Sequence, residues 1–245
     1  MPRYKVTVEY DGRHLVGWQR QANGPSVQQH IEEAIQKFCG EDIRIQGAGR
    51  TDAGVHALGQ VATFDLQKEH SPFTVMNAIN QHIKPAPVAI LDCENVDDEF
   101  NARFSATARH YLYRIINRRA PLTVDEGLAW HVKKELDSNA MAEAAEVFVG
   151  QHDFTSFRAA ACQANSPVKT LSKMEISRFE DEIQVRLSAR SFLHNQVRAM
   201  VGTLSLVGHG QWTKADVQAA LDAKDRQKAG PNAPPHGLYL TDVDY

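Results

Sequence analysis

The chain has 245 residues, a formal net charge of −3 and a charged fraction of 23%, a composition typical of a globular protein with one large or two ordinary domains. Its three cysteines form no Cys-x-x-Cys pair and its eleven histidines show no metal-ligand spacing, which argues against a disulfide framework and a metal site. The N-terminal residues lack the apolar run of a signal peptide, and the longest hydrophobic stretch is too short to span a bilayer. We therefore expect a cytoplasmic protein with no membrane role.

The first part of the chain is predicted to contain four strands and two helices. A strand over residues 4–10 precedes a helix that begins after Ser26 and ends at Gly40. A strand over residues 42–46, a glycine-rich loop and a strand ending near residue 66 come next, and a second helix begins at Ser71-Pro72. Residues 88–91 form the last strand. The order β-α-β-β-α-β is that of a ferredoxin-like unit, in which two helices cover one face of an antiparallel sheet.

The second part of the chain repeats this order without visible sequence identity. Strands are predicted over residues 110–117, 171–179, 183–189 and 237–243, with helices over 138–149 and 193–207 and an extra helix over 213–223. The sequence therefore predicts an α+β fold of two βαββαβ halves with mainly antiparallel sheets. We expect the domains to be residues 1–105 and 106–245, with the active-site cleft between them.

The loop over residues 47–56 carries one carboxylate, Asp52, among three glycines. Glycines at 47, 49 and 54 allow positive φ and close approach of a ligand, so Asp52 is within reach of a substrate. The chain continues after the loop with the period of a strand, whereas a phosphate-binding P-loop and a dinucleotide fingerprint both lead into a helix. An Asp in such a loop also commonly forms an Asx turn or a helix cap, which is the alternative to a catalytic role.

Positive charge is unevenly distributed, although the chain is acidic overall. Residues 100–124 and 183–215 contain basic residues and no acidic ones: Arg103, Arg109, Arg114, Arg118 and Arg119 in the first segment, and Arg186, Arg190, Arg198 and Lys214 in the second. Such segments can form a phosphate-binding surface on an acidic protein. For any single segment, ordinary solvated arginines are the alternative.

A catalytic Asp52 must be ionised, which a nearby permanent cation favours. Arg198 is our candidate, because a lone arginine in an otherwise apolar helix start is costly unless it is paired; a surface arginine is the alternative. Arg50, two positions before Asp52 on a turn, either pairs with Asp52 or points outward to a phosphate, and we favour the phosphate contact for Arg50. Tyr111 and Tyr113 share one face of a strand, where a ring is either a stacking platform for a base or part of the core, and spacing alone does not choose between them.

Seven segments together resemble the TruA family of tRNA pseudouridine synthases, and they span nearly the whole chain in order. The most specific of them is Gly-Arg-Thr-Asp-Ala-Gly-Val-His. The segments are Tyr10-Asp11-Gly12, Gly17-Trp18-Gln19-Arg20-Gln21, Ser26-Val27-Gln28, residues 47–57, Phe100-Asn101-Ala102-Arg103-Phe104-Ser105-Ala106, Phe192-Leu193-His194-Asn195 and Gly237-Leu238-Tyr239-Leu240.

The resemblance implies a pseudouridine synthase fold, a homodimer, no cofactor or metal, and action on uridines at positions 38, 39 and 40 of the tRNA anticodon stem-loop. It implies that Asp52 is the catalytic aspartate, Tyr111 the active-site tyrosine and Arg198 the basic partner of the aspartate. It further implies that Leu238 lines the uracil pocket and that Arg50 helps to extrude the base.

The reaction breaks the C1′–N1 bond of uridine, rotates the uracil, joins C5 to C1′ and removes the C5 proton. Asp52 either traps C1′ covalently, stabilises its oxocarbenium character, or takes a C2′ proton to give a glycal, and the sequence leaves these routes open. Two other functions remain as alternatives. Tandem RNA-recognition domains share the twin ferredoxin-like pattern, but no RNP1 motif is present. A hydrolytic nucleosidase acting on free nucleosides has no use for the arginine-rich segments.

Overall fold

The computed structural model describes residues 1–160 and 162–245. The chain divides into two compact units, Met1–Thr107 with Tyr239–Tyr245, and Ala108–Leu238. The predicted domains, 1–105 and 106–245, stay a prediction. The C-terminal residues from Tyr239 onward belong to the first unit, because the last strand pairs with a strand of that unit.

The first unit has the predicted order of strands and helices. Its elements are β1 (Arg3–Tyr10), α1 (Val27–Cys39), β2 (Gln46–Gly47), β3 (His56–Asp65), α2 (Pro72–His82) and β4 (Val88–Val96), joined by residues of the C-terminal strand β10 (Leu238–Asp244). Strand β1 lies between β3 and β4 and is antiparallel to both, whereas β10 pairs in parallel with β3. The sheet of this unit is therefore mainly antiparallel, as predicted.

Local sequence explains where the two helices of this unit begin and end. The Ser26 hydroxyl accepts a hydrogen bond from the Gln29 amide, which starts α1, and Gly40 ends it with a left-handed φ of 81°. Ser71 caps α2 in the same way through the Thr74 amide. The buried face of α1 includes Ile31 and Ile35, which lie four residues apart on one side of the helix.

The second unit contains more elements than the sequence predicts. They are β5 (Ala108–Asn117), β6 (Trp130–Val132), α3 (Ser138–Ala145), β7 (Gly150–Asp153), β8 (Val168–Phe179), β9 (Glu182–Ala189), α4 (Gln196–Gly208) and α5 (Lys214–Asp222). Strands β5, β9, β8 and β7 form an antiparallel sheet in that order, and β6 pairs in parallel with β5. The sequence pattern does not predict the short strands β6 and β7. Helix α3 ends earlier than expected, with a 3-10 turn over Glu146–Phe148.

Within the described residues, no helix is both long enough and apolar enough to cross a membrane.

Candidate active site

The Asp52 loop joins β2 to β3 in the first unit, so the predicted strand-to-strand connection is confirmed. The Val55 amide donates to the carbonyl oxygen of Asp52 at 3.1 Å, which closes a tight turn directly after the aspartate. At the start of the loop, the fully buried Gln60 side chain donates to the Gly49 carbonyl at 2.9 Å. Asp52 is half-buried and Arg50 is exposed. The loop therefore holds its carboxylate on a fixed backbone.

Each of the three loop glycines is able to adopt a positive φ. Only Gly54 does so, with a φ of 78°. Gly47 is required for a different reason, because a Cβ there would lie 2.5 Å from the indole ring of Trp18. Close packing against an aromatic ring, and not backbone conformation, excludes a side chain at that position.

His56 ends the loop and is 1% exposed. Its Nδ1 accepts a hydrogen bond from the Gly12 amide at 3.1 Å and lies 3.3 Å from a carboxylate oxygen of Asp11. Nδ1 of His56 therefore lies between a backbone amide donor and a carboxylate acceptor. The ring stacks on Tyr239 with centroids 4.7 Å apart. His56 thus connects the end of the loop to two other segments of the first unit.

In the second unit, the two tyrosines of β5 have different environments. Tyr113 is fully buried and donates its hydroxyl to the Pro234 carbonyl at 2.7 Å. Burial raises the pKa of Tyr113 well above its usual value, against a smaller opposing effect of the Arg198 charge. Tyr111 is half-buried, and its ring makes an edge contact with Phe192 at 5.1 Å. Tyr111 is therefore the ring of the two that a ligand can reach.

Arg198 lies in the first turn of α4 and is held by two neighbouring segments. Its Nη1 donates to the side chain of Asn195 at 2.9 Å, and its Nε donates to the Ala233 carbonyl at 2.8 Å. Asn195 has a left-handed φ of 64°, so α4 begins at Gln196 and not at residue 193 as predicted. The Ala233 amide returns a hydrogen bond to the Arg198 carbonyl at 2.9 Å. These contacts hold the half-buried Arg198 side chain at the start of α4.

The segment that Arg198 contacts leads directly into Leu238. Burial, followed by the positive charge of Arg198, lowers the pKa of His236 below its usual value. Leu238 is 6% exposed and is the first residue of β10. The second unit thus brings Arg198, the strand of Tyr111 and the approach to Leu238 into one neighbourhood. Asp52 and Arg50 belong to the first unit, and the pairing of Arg198 with Asp52 stays a prediction.

The interpretation of residues 100–124 as a phosphate-binding surface needs correction at three arginines. Arg114 binds the carboxylate of Glu182 at 2.9 Å and Asp125 at 3.1 Å, and Arg118 binds Asp181 at 2.9 Å. Arg109 is buried and donates to the Arg190 carbonyl. All three acidic partners lie outside the segment, with Asp125 directly after its last residue, so an arginine-rich segment does not by itself indicate uncompensated positive charge.

Sequence reasoning also missed the contact between two buried polar residues, one of which lies within the loop. Thr51 is 7% exposed and its hydroxyl oxygen lies 2.7 Å from that of Tyr10. Both residues lie in the segments that carry the family resemblance, which is the signal that would have found them. The two residues are 41 positions apart in the chain, so only the folded structure shows that their hydroxyls are in contact.

Comparison with known proteins shows to which family this chain belongs. The profile of the tRNA pseudouridine synthase family matches residues 6–105 and 144–245. The chain belongs to that family.

Relatives named tRNA pseudouridine synthase A match the chain along its full length. The protein of Parvibaculum lavamentivorans is 60% identical over 245 residues, covering 100% of both chains. Those of Maricaulis maris and Brucella ovis are 58% and 59% identical, each covering 100% of this chain and 98% of the relative. Among solved structures, a chain from the crystal structure of a Cbf5-Nop10-Gar1 complex aligns with a TM-score of 0.36 and 11% identity, over 96% of this chain and 57% of that one.

Proposed function

We propose that this protein isomerises uridine to pseudouridine at positions 38, 39 and 40 of the tRNA anticodon stem-loop, with Asp52 as the catalytic carboxylate. The proposed reaction is supported above all by the 60% identity of this chain with a protein named tRNA pseudouridine synthase A, over the full length of both. The assignment of Asp52 is supported by its half-buried position on a glycine loop whose two ends are hydrogen-bonded.

A carboxylate suits the first step of this isomerisation. When the C1′–N1 bond breaks, its electron pair leaves with the uracil and positive charge develops at C1′. Asp52 meets that charge by forming an ester to C1′, by stabilising the cation, or by taking the C2′ proton. The uracil then rotates and C5 bonds to C1′, while the ester to Asp52 breaks in the covalent route or Asp52 returns the C2′ proton in the glycal route. The C5 proton then departs and N1 gains a proton. The reaction is redox neutral, so we expect activity without added cofactor or metal.

The remaining site residues have separate roles in this proposal. The target uridine must leave the base stack, and the accessible ring of Tyr111 stacks on the flipped base while its hydroxyl relays the C5 proton. Leu238 forms an apolar wall that retains the free uracil during rotation. Arg198 stabilises the ionised form of Asp52. Arg50, exposed two residues before the aspartate, contacts RNA and helps to extrude the base.

We also propose that the protein acts in the cytoplasm as a homodimer. Sedimentation of the purified protein tests the dimer directly, and a monomer that retains full activity would contradict it.

Product analysis tests the reaction against both alternatives. The protein is incubated with an unmodified tRNA transcript that has uridine at all three positions, and with a control transcript in which cytidine replaces those uridines. We expect pseudouridine in the first transcript only, with no free uracil. Free uracil would identify a nucleosidase, and binding without any product would identify an RNA-binding module.

A further inference from the structure

The residue before Asp52 is held at both its side chain and its backbone. The Thr51 hydroxyl pairs with that of Tyr10 at 2.7 Å, and both side chains are almost fully buried. The Thr51 carbonyl accepts from the Trp18 amide at 3.1 Å. Gly17 has a φ of 102°, and a Cβ at that position would collide with the same carbonyl. The backbone that leads into Asp52 therefore has little freedom to tilt.

The far end of the loop is held by the same stretch of chain. The Gly12 amide donates to His56 Nδ1, and a Cβ on Gly12 would collide with the Val55 carbonyl. The segment that runs from the end of β1 through residue 18 thus contacts the loop on both sides of the aspartate. Of these contacts, the Tyr10–Thr51 pair is the one in which both partners are side chains that can be changed without altering the backbone.

We propose that the hydroxyl pair of Tyr10 and Thr51 positions the Asp52 carboxylate for the reaction. The two buried hydroxyls hydrogen-bond to each other, and removal of one leaves the other without that partner. The Thr51 side chain then loses its anchor, and only the contacts of the Thr51 carbonyl with Trp18 and Gly17 still hold the backbone that enters Asp52. A displacement of about 1 Å at a reacting group can lower a rate by about 10²-fold. Tyr10 and Thr51 are positioning residues, and the proposal rests on the assignment of Asp52.

Strand β1 contains a matched control for this proposal. Tyr4 lies on the same buried face as Tyr10 and is fully buried. Its hydroxyl donates to the His70 carbonyl at 2.8 Å and accepts from the His70 amide at 2.9 Å, away from the Asp52 loop. Tyr4→Phe and Tyr10→Phe therefore delete the same atom from the same strand, and only the second deletion affects the loop.

The experiment compares single-turnover rates, tRNA dissociation constants and melting temperatures of the full-length variants. We expect Tyr10→Phe to lower the single-turnover rate by about 10- to 100-fold with little change in tRNA affinity. Tyr4→Phe should lower the melting temperature by about as much as Tyr10→Phe does, and it should leave the single-turnover rate unchanged. Thr51→Val should match Tyr10→Phe, the double variant should be no slower than either single variant, and Thr51→Ser should recover most of the rate lost in Thr51→Val.

Equal rates for Tyr10→Phe and Tyr4→Phe would overturn the proposal. If Tyr10→Phe fails to fold, the comparison of Thr51→Val with Thr51→Ser decides the question in its place, and equal rates for that pair overturn the proposal too. Asp52→Asn separates this failure from that of the proposed function. If Asp52→Asn is inactive while Tyr10→Phe and Thr51→Val react at the normal rate, only the positioning proposal is rejected. If Asp52→Asn is active, the assignment of Asp52 as the catalytic carboxylate is rejected.

Discussion

Tyr113 donates its phenolic hydroxyl to the carbonyl oxygen of Pro234 at 2.7 Å. That bond, together with complete burial of the ring, gives Tyr113 a structural role. Tyr111, two residues earlier on the same face of the strand, is half-buried. The sequence spacing gives no reason to assign the two tyrosines different roles, whereas the structure shows that they differ in exposure and in hydrogen bonding.

Tyr111→Phe keeps the ring for stacking and removes only the hydroxyl. If that hydroxyl relays the C5 proton, the single-turnover rate should fall by about 10²-fold or more, which is the usual contribution of a general acid or base. Binding of tRNA should stay near normal. The measurement is a rapid-quench assay with a filter-binding control. A fully active Tyr111→Phe would reduce Tyr111 to a stacking residue.

Tyr113→Phe is the matched comparison and should behave in the opposite way. Loss of its bond leaves the Pro234 carbonyl without that donor, which lowers stability by about 1–3 kcal/mol. The single-turnover rate of the folded variant should remain close to that of the unmodified protein. A slower reaction for Tyr113→Phe than for Tyr111→Phe would mean that the assignment on this strand is wrong by two positions.

Arg198→Ala should reduce catalysis more than tRNA affinity, because its proposed partner is Asp52 and not a phosphate. Arg226 offers a control, since it donates to the Gly230 carbonyl at 2.9 Å and to the Asn232 side chain at 3.0 Å in the same unit. Arg226→Ala removes a comparable structural contact and should lower the melting temperature only. A loss of binding with an unchanged single-turnover rate in Arg198→Ala would reassign that arginine to RNA contact.

Binding to an anticodon stem-loop should weaken steeply as salt rises, because basic side chains displace counterions from the phosphates. Arg50→Gln should make the slope of log affinity against log salt shallower by about 1, the effect of losing a single phosphate contact. Arg114→Gln should leave the slope unchanged, because Arg114 already binds Glu182 and Asp125. Affinity that does not depend on salt would argue against RNA as the substrate.

Local signals in the sequence predict much of this fold. Ser26, Ser71 and Gly40 mark helix ends by short-range hydrogen bonding or backbone conformation, so they can be identified without tertiary information. Strand β9 is identifiable because it alternates, with Ile183 and Val185 buried and the intervening Gln184 half-exposed. Strands β6 and β7 are three and four residues long, too short to show a period, and only their pairing with β5 and β8 defines them.

The site is predictable as a set of residues and not as a set of contacts. The glycine loop and the family resemblance identify Asp52, Arg50, Tyr111, Arg198 and Leu238. They do not reveal that Arg114 finds an acidic partner 68 positions away, or that the Tyr10 hydroxyl meets Thr51. Such contacts depend on which strands become neighbours, and that arrangement is decided by packing over the whole unit.

Asp52→Asn gives the most direct test of the catalytic carboxylate. The substitution is nearly isosteric, so folding and tRNA binding should persist while the charge needed at C1′ is lost. Asp92→Asn, at an exposed position of β4, is the control for loss of one negative charge.

The measurement is release of tritium from tRNA labelled at C5 of its uridines, since pseudouridine formation removes that hydrogen. We expect release at the normal rate from the unmodified protein and from Asp92→Asn, and none from Asp52→Asn at full tRNA occupancy. Tritium release by Asp52→Asn at the rate of the unmodified protein would contradict the account.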